Sequence, residues 1–536
     1  MANFIFSAFA DEYSSNFDEQ LVALKKEGLT HIELRNLDGK SVINLSLDEA
    51  REYKKKLDTY GIKVSSIGSP IGKSDITDDP SFEIERVKHA CELAKIFETK
   101  NIRMFSYYNH HNVDFDKYER EVFKRLDSLL EIAEKEGTTL CHENESGIYG
   151  DIIDRCVKLY RHFNGRLRCV YDMANYVINH QDALKAYLST KEYIEYFHVK
   201  DAYSIGAVVP PGKGEGNIRE VMSLANKDFN RNVLVTVEPH LWQFGGLKTI
   251  AGASFENPYV FDSQQDAFIA GVRNTKKQID ISKNLDVFFK DNLLVKVSPN
   301  RDLMGMDASK DIELRIKLLL LEKEFVNIVF AAAPSQNDVL YHLVKNSPEI
   351  EWNRINAFHM DEYVGLDSNA PQKFANYLNE HIFSLVNFRS VNYIDCSSNI
   401  DEEIKRYTKL LEEYPPDIVI MGIGENGHIA FNDPGYADFS DKKPIKVVKL
   451  DDICRNQQVH DGAFKNIKEV PTHAVTLTIP TLFNAKYLFS IVPTSNKASA
   501  VFETLNGAID EHCPASILRR HKNARLYLDK DSASKL

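Results

Sequence analysis

The chain has 536 residues, too many for one hydrophobic core, so two domains of roughly 250 residues each are expected. Its 43% hydrophobic and 27% charged residues, with no apolar run of the roughly 18 residues that span a bilayer, place it among soluble globular proteins and exclude a membrane partner. A formal net charge of -12 excludes sequence-independent binding to nucleic acid, which needs clustered Lys and Arg, and favours small-molecule substrates.

The start of the chain, Met1 to Ala10, has no basic segment of the secretory type, and Phe4 to Ala10 reads as a first strand, so a cytoplasmic location is expected. Seven cysteines are scattered without a C-x-x-C pair, which predicts reduced, mostly buried thiols. Runs rich in β-branched and aromatic residues follow in order: Phe4 to Ala10, His31 to Leu37, Lys63 to Pro70, Asn101 to Tyr108, Thr138 to Asn144, Leu167 to Asn175, Ile194 to Asp201 and Val233 to Leu241. Between them the period changes to helical, as in Phe17, Leu21 and Leu24 or Ile84, Val87, Cys91 and Ala94. Eight βα units of this kind predict a closed (β/α)8 TIM barrel.

Acidic and His residues stand at the ends of the later strands: Glu143, Asp172, His198 and Glu238. Carboxyl ends of barrel strands converge on one rim, so these four, remote in sequence, can share one ion. Three carboxylates and an imidazole suit Mn²⁺, Mg²⁺, Co²⁺ or Zn²⁺. The series E-N, D-x-x-N, H-x-K-D and E-P-H resembles the xylose isomerase-like sugar isomerase/epimerase superfamily over about the first 250 residues. That resemblance implies one divalent metal held by Glu143, Asp172, His198 and Glu238. In the epimerase branch the two glutamates, here Glu143 and Glu238, also serve as paired acid and base on the two faces of a ketose. Inosose dehydration is a related outcome. Glu33, His142, Lys200 and His240 are left for substrate contact, ligand orientation or, equally, hydrogen bonding at the rim. Gly212, Gly214 and Gly216 in P-G-K-G-E-G look like a phosphate cradle but sit where a flexible active-site loop is the better reading. A metal-dependent endonuclease is disfavoured by the acidic balance and by the small ligand set.

From about Gly245 to Lys290 the sequence reads as a last barrel helix, Gln264 to Ser282, and a connection, dividing the chain into a barrel at 1–280 and a second domain at 281–536. Strand-like runs at Phe325 to Ala332, Asp417 to Met421 and Tyr487 to Val492 alternate with helices, which predicts an open α/β sheet. Two segments carry chemistry: Phe358-His-Met-Asp-Glu-Tyr, and Met421-Gly-Ile-Gly-Glu-Asn-Gly-His-Ile-Ala-Phe-Asn-Asp-Pro, a strand running into a glycine-rich turn. With Thr494-Ser-Asn-Lys they resemble the glucosamine-6-phosphate deaminase/isomerase family, the group that also holds 6-phosphogluconolactonases, over about Val326 to Leu528.

That resemblance makes Asp361 the base that moves a proton between C2 and C1, and His428, oriented by Asp433, the group that opens the pyranose ring, with no cofactor in this domain. It also assigns substrate contact to Lys497, Ser335 and Asn426. Three departures from the family pattern stand out. Asn426 replaces an acid two residues before the histidine, with Glu425 as a substitute. Asp433 stands where a Glu is usual. The phosphate loop reads Ala331-Ala-Ala-Pro-Ser-Gln, where Ser335 either presents amides to an anion or caps a helix. Arg455 is the nearest candidate for a phosphate arginine. The resulting expectation is a bifunctional carbohydrate enzyme; the alternative keeps the barrel as the only enzyme beside a sugar-binding regulatory module. Both resemblances imply a homo-oligomer.

Overall fold

Every strand expected in the first half forms, and the last four end at or just before a charged side chain, Glu143, Asp172, Lys200 and Glu238. In the computed structural model, which describes residues 1–242, 257, 259–397 and 399–536, the strands are β1 (Asn3–Ala8), β2 (His31–Leu34), β3 (Lys63–Ile71), β4 (Asn101–Met104), β5 (Thr139–Glu143), β6 (Arg168–Asp172), β7 (Ile194–Val199) and β8 (Asn232–Val237). All pair in parallel, in the order β1-β8-β7-β6-β5-β4-β3-β2, so the sheet curls into a nearly closed barrel with its seam between β1 and β2. Interior positions alternate along each strand. Cys141, Val170 and Tyr196 pack together with Leu234 inside the barrel, and the residues two further on from the first three are Glu143, Asp172 and His198.

The sequence overruns several strand ends. The sixth run was expected to reach Asn175, but Asp172 ends β6 and caps the helix Met173–Ile178, its Oδ1 accepting the Asn175 N–H at 2.9 Å. Helix Gln264–Ser282, capped by Ser263, forms at its expected bounds; the start of the expected connection, from Gly245, lies outside the described residues.

Contacts divide the chain into Met1–Lys283 and Asn284–Leu536. The second unit carries β9 (Asp286–Lys290), β10 (Leu293–Ser298), β11 (Val326–Phe330), β12 (Ile355–His359), β13 (Asp361–Tyr363), β14 (Ser390–Asn392), β15 (Ile418–Met421), β16 (Ile445–Lys449), β17 (His473–Leu477), β18 (Tyr487–Val492) and β19 (Ala524–Asp529). Its main sheet has the order β9-β10-β19-β18-β15-β11-β12-β14, parallel except for the β9/β10 hairpin. Both faces are covered, which explains the continuous apolar runs: Val329, Phe358, Val419 and Leu488 point into one core, and Ile328, Ala357, Ile418 and Phe489 into another. A small antiparallel sheet, β13-β17-β16, branches off where β12 passes through Met360 into β13.

No described helix is long and apolar enough to cross a membrane. The seven cysteines are free, and all but Cys513 are buried.

Candidate active sites

In the barrel, strand geometry gathers Glu143, Asp172, His198 and Glu238 so that one donor atom of each lies within 4.8 Å of the others, all buried. His198 Nδ1 faces Glu143 Oε1 at 3.1 Å and Glu238 Oε2 at 3.4 Å. Its Nε2 is held by Glu33 Oε2 at 3.0 Å, and Glu33 also accepts from Tyr196 Oη at 2.9 Å and Thr236 Oγ1 at 2.7 Å. A carboxylate on the far nitrogen of a ligating imidazole is the arrangement that fixes its tautomer and orientation. Asp172 Oδ2 is buried without a hydrogen bond, the Lys200 ammonium lying 3.0 Å away but out of line. An orphaned carboxylate oxygen, two further carboxylates and an imidazole form a donor set that fits a divalent cation.

The motif residues around these donors have local jobs. The Asn144 side chain pairs with Asp172, its Oδ1 accepting the Asp172 N–H at 3.1 Å and its Nδ2 donating to the Asp172 carbonyl at 2.9 Å. Asn175 Nδ2 donates to the Asn144 carbonyl at 2.7 Å. Cations surround the rest: Arg103 Nη1 lies 3.0 Å from Glu143 Oε2, Arg35 Nη1 3.2 Å from Glu238 Oε1, and Lys200 Nζ 3.4 Å from Glu238 Oε2. Burial disfavours the charged form of Glu143, but His198 and Arg103 outweigh it and hold the carboxyl at about 2. Arg35 and Arg103 escaped sequence reasoning; the available signal was a guanidinium inside an apolar strand, Asn101-Ile-Arg-Met.

Two expectations change. His142 is no rim residue: it faces the outer helix layer, with Nε2 2.9 Å from Ser106 Oγ and Nδ1 3.2 Å from Tyr160 Oη, as period 2 requires of a neighbour of Glu143. The glycine loop is neither a phosphate cradle nor a loose flap. Gly212 and Gly214 N–H donate to Asp201 Oδ2 at 2.8 and 2.9 Å, and Gly216 and Ala202 N–H to Oδ1 at 2.9 and 3.0 Å, so the anion in the cradle is the chain's own.

In the second domain a cavity of about 500 Å³ opens at the carboxyl ends of the main sheet, and Asp361, His428, Ser335 and Lys497 line it. Asp361 is the first residue of β13, paired with Thr476 of β17. Burial, with Glu362 beside it, pushes its carboxyl well above the usual range. His428 comes from the turn after β15. Its Nδ1 lies 2.7 Å from Asn426 Oδ1 and 3.0 Å from Asp433 Oδ1, both acceptors, so Nδ1 carries the proton and Nε2 is the nitrogen without a partner among the described residues. The Asn426 amide is itself oriented, donating through Nδ2 to Asp433 Oδ1 at 3.0 Å and Asp451 Oδ2 at 3.3 Å. Asn426 is thus a positioning residue behind the imidazole and does not line the cavity. A Cβ on Gly424 would collide with the His428 ring, so the glycine makes room for it.

Lys497 is 5% exposed, its ammonium makes no hydrogen bond or ion pair among the described residues, and burial pushes its pKa down. An unpaired buried cation on a cavity wall calls for an anionic ligand. Ser335 lines the cavity and caps nothing: neither the 3₁₀ turn Pro334–Gln336 nor the helix Asn337–Asn346 has a side-chain cap. Glu425 does not take over from the missing acid, because it accepts from Asn496 Nδ2 at 2.9 Å, away from His428. Arg455 is not in the cavity wall; its Nη2 donates to the carbonyls of Ile467 and Val470 at 2.7 and 3.1 Å. The guanidinium that does line the cavity is Arg301, which the sequence analysis missed; it is bound to Asp338 and the Pro334 carbonyl beside the phosphate-loop segment.

Residues 21–252 match the family described as xylose isomerase-like TIM barrel, and residues 299–528 match glucosamine-6-phosphate isomerases/6-phosphogluconolactonase. A glucosamine-6-phosphate deaminase of Listeria monocytogenes serotype 4a is 36% identical over 214 residues, spanning 39% of this chain and 88% of that protein. One from Bacillus thuringiensis is 33% identical over 245 residues, 45% of this chain and 88% of that protein. A solved monomeric glucosamine-6-phosphate deaminase shares 27% identity, covering 45% of this chain and 99% of its own, with a TM-score of 0.41. Through its second domain the chain belongs to the glucosamine-6-phosphate isomerase/6-phosphogluconolactonase family, carried on the same polypeptide as a xylose isomerase-like TIM barrel.

Proposed function

We propose that the chain is a bifunctional carbohydrate enzyme: a metal-dependent isomerase or epimerase of a sugar or sugar phosphate in the barrel, and an aldose-ketose isomerase that releases ammonia from an amino sugar phosphate in the second domain. The observation that carries the second activity is one cavity lined by a proton carrier, Asp361, an imidazole with a free nitrogen, His428, and an unpaired buried cation, Lys497. Lys497 holds the phosphate. His428 Nε2 takes the anomeric hydroxyl proton and returns it to the ring oxygen as the C1–O5 bond breaks, Asp433 and Asn426 stabilising the imidazolium from the Nδ1 side. Asp361, whose raised pKa makes it the stronger base, carries a proton from C2 to C1, which leaves an iminium at C2; water adds there, the C2–N bond breaks, and ammonia departs as the ketone forms.

In the barrel, Glu143, Asp172, His198 and Glu238 would hold a divalent ion, which supplies polarisation of the substrate's carbonyl and hydroxyl oxygens when bound. Glu143 and Glu238, on β5 and at the end of β8, then pass a proton to and from carbon on opposite faces of the sugar, while Arg103 and Arg35 hold their outer oxygens in place. A soluble, cytoplasmic homo-oligomer fits this reading.

The test is a screen of sugars and amino sugars, with and without phosphate, monitored for ammonia and for epimer formation. Ammonia released from glucosamine 6-phosphate, and abolished in Asp361→Asn, supports the reading. No ammonia from any amino sugar overturns it in favour of a sugar-binding regulatory module.

A further inference from the structure

We propose that His428, Asp433 and Cys454 form a seat for a thiophilic divalent cation of the zinc class, and that an ion there silences the second domain. One donor atom from each residue, an imidazole nitrogen, a carboxylate oxygen and a thiol sulfur, lies within 4.8 Å of the other two. Cys454 comes from the helix Asp452–His460, a separate element from the turn that carries His428 and Asp433. Asp433 Oδ2 is a fully buried oxygen that takes no hydrogen bond from any nitrogen or hydroxyl, and the group that faces the carboxylate is the Cys454 thiol, whose proton a metal ion would replace. Cys454 is buried as well, with its thiol against the Asp433 carboxylate. Of the three, His428 alone lines the cavity, so an ion reaches the seat past the imidazole, and Asn426 Oδ1, 2.7 Å from Nδ1, stands beside the seat as a further oxygen.

The donor set separates this seat from the barrel. Three carboxylates and an imidazole serve hard and borderline ions alike, whereas a nitrogen, an oxygen and a sulfur select zinc and cobalt over magnesium and calcium. Binding balances as follows. The ion enters, the Cys454 thiol proton leaves to solvent, and the imidazole proton moves from Nδ1 to Nε2, so the metal gains a thiolate, a neutral imidazole and a carboxylate. Asn426 Oδ1 loses its donor from Nδ1. The consequence is a reversed tautomer: Nε2, the acceptor needed for ring opening, becomes an N–H. The seat itself is independent of the deaminase reading, while the silencing rests on it.

Cobalt is the probe for the seat, because thiolate-to-cobalt charge transfer reports sulfur ligation and the barrel donors contain none. Full-length protein stripped with chelator and titrated with Co²⁺ should develop that absorption. Cys454→Ser, with an unchanged unfolding temperature in the absence of metal, should lose it. Absence of the band in the unaltered protein, or its persistence in Cys454→Ser, overturns the proposal. If serine is not tolerated, zinc X-ray absorption on the unaltered chain decides: a sulfur contribution to the average shell supports the seat and none overturns it. Zinc should also abolish ammonia release by the unaltered chain and spare Cys454→Ser; a cobalt band with full activity in zinc overturns the silencing.

Discussion

Glu33 contributes no donor to the barrel cluster, yet it accepts three hydrogen bonds, one of them from the imidazole that does. Glu33→Gln keeps the shape and loses the charge that sets the His198 tautomer. We expect it to weaken divalent-metal affinity about 10- to 100-fold with all four donors intact, as measured by metal titration. Gly424 plays the corresponding part in the second domain by leaving space for the His428 ring. Gly424→Ala should push the ring aside and lower ammonia release about 100-fold, the usual loss for a misplacement of roughly 1 Å, while barrel turnover is unchanged. His359 offers a test by pH. Its Nε2 accepts the Ile394 N–H at 2.7 Å in a fully buried setting, and burial pushes the imidazole down to about 3. The folded state therefore binds this proton less readily than the unfolded state, so the contribution to stability is complete above about pH 6.5 and is lost as pH falls toward 3. By pH 5 the loss is about 2 kcal/mol. Unfolding of the second domain should show this acid sensitivity, and His359→Gln, which still offers an oxygen to Ile394, should flatten it.

At the scale of elements, strands were more legible in the sequence than the loops that finish them. Period and composition placed all eight barrel strands and fixed Tyr487–Val492 to the residue, because a two-residue alternation survives in any context. Overruns came where one side chain changes the rule, as when Asp172 leaves β6 and caps a helix. The glycine loop was misread for a physical reason: spacing reveals that backbone N–H groups will converge, but not on which anion, and Asp201 lies far enough upstream to look unrelated. Gly214→Ala tests the corrected picture. A Cβ there would strike the Asp201 carboxylate and come within 2.6 Å of the Ala202 carbonyl, so we expect a loss of about 1 to 3 kcal/mol in barrel stability by denaturant unfolding. Arg35 and Arg301 were illegible because their partners, Glu238 and Asp338, are remote in sequence, and Arg103 left only the trace of a guanidinium in an apolar strand.

For the molecule as a whole, two compact units each hold their own cluster of candidate groups. Substitutions at sites that share no partners add independently. Asp361→Asn should therefore abolish ammonia release and leave divalent-ion binding by the barrel as it was, and Glu238→Gln should do the reverse; loss of both properties in either variant would show that the sites are not separate.

The strand β17 has a role that neither site shows alone. Its Thr476 stands opposite Asp361, and the same residue's hydroxyl accepts the Phe431 N–H at 3.1 Å, three positions past His428. Asn432 then donates to the Leu477 carbonyl at 2.8 Å. Asp361 and His428, the proposed base and ring opener, sixty-odd residues apart, are thus gauged from one common ruler. Their spacing is inherited from a rung of sheet, so chemistry here can drift in its pocket walls while the distance between its two working groups stays locked.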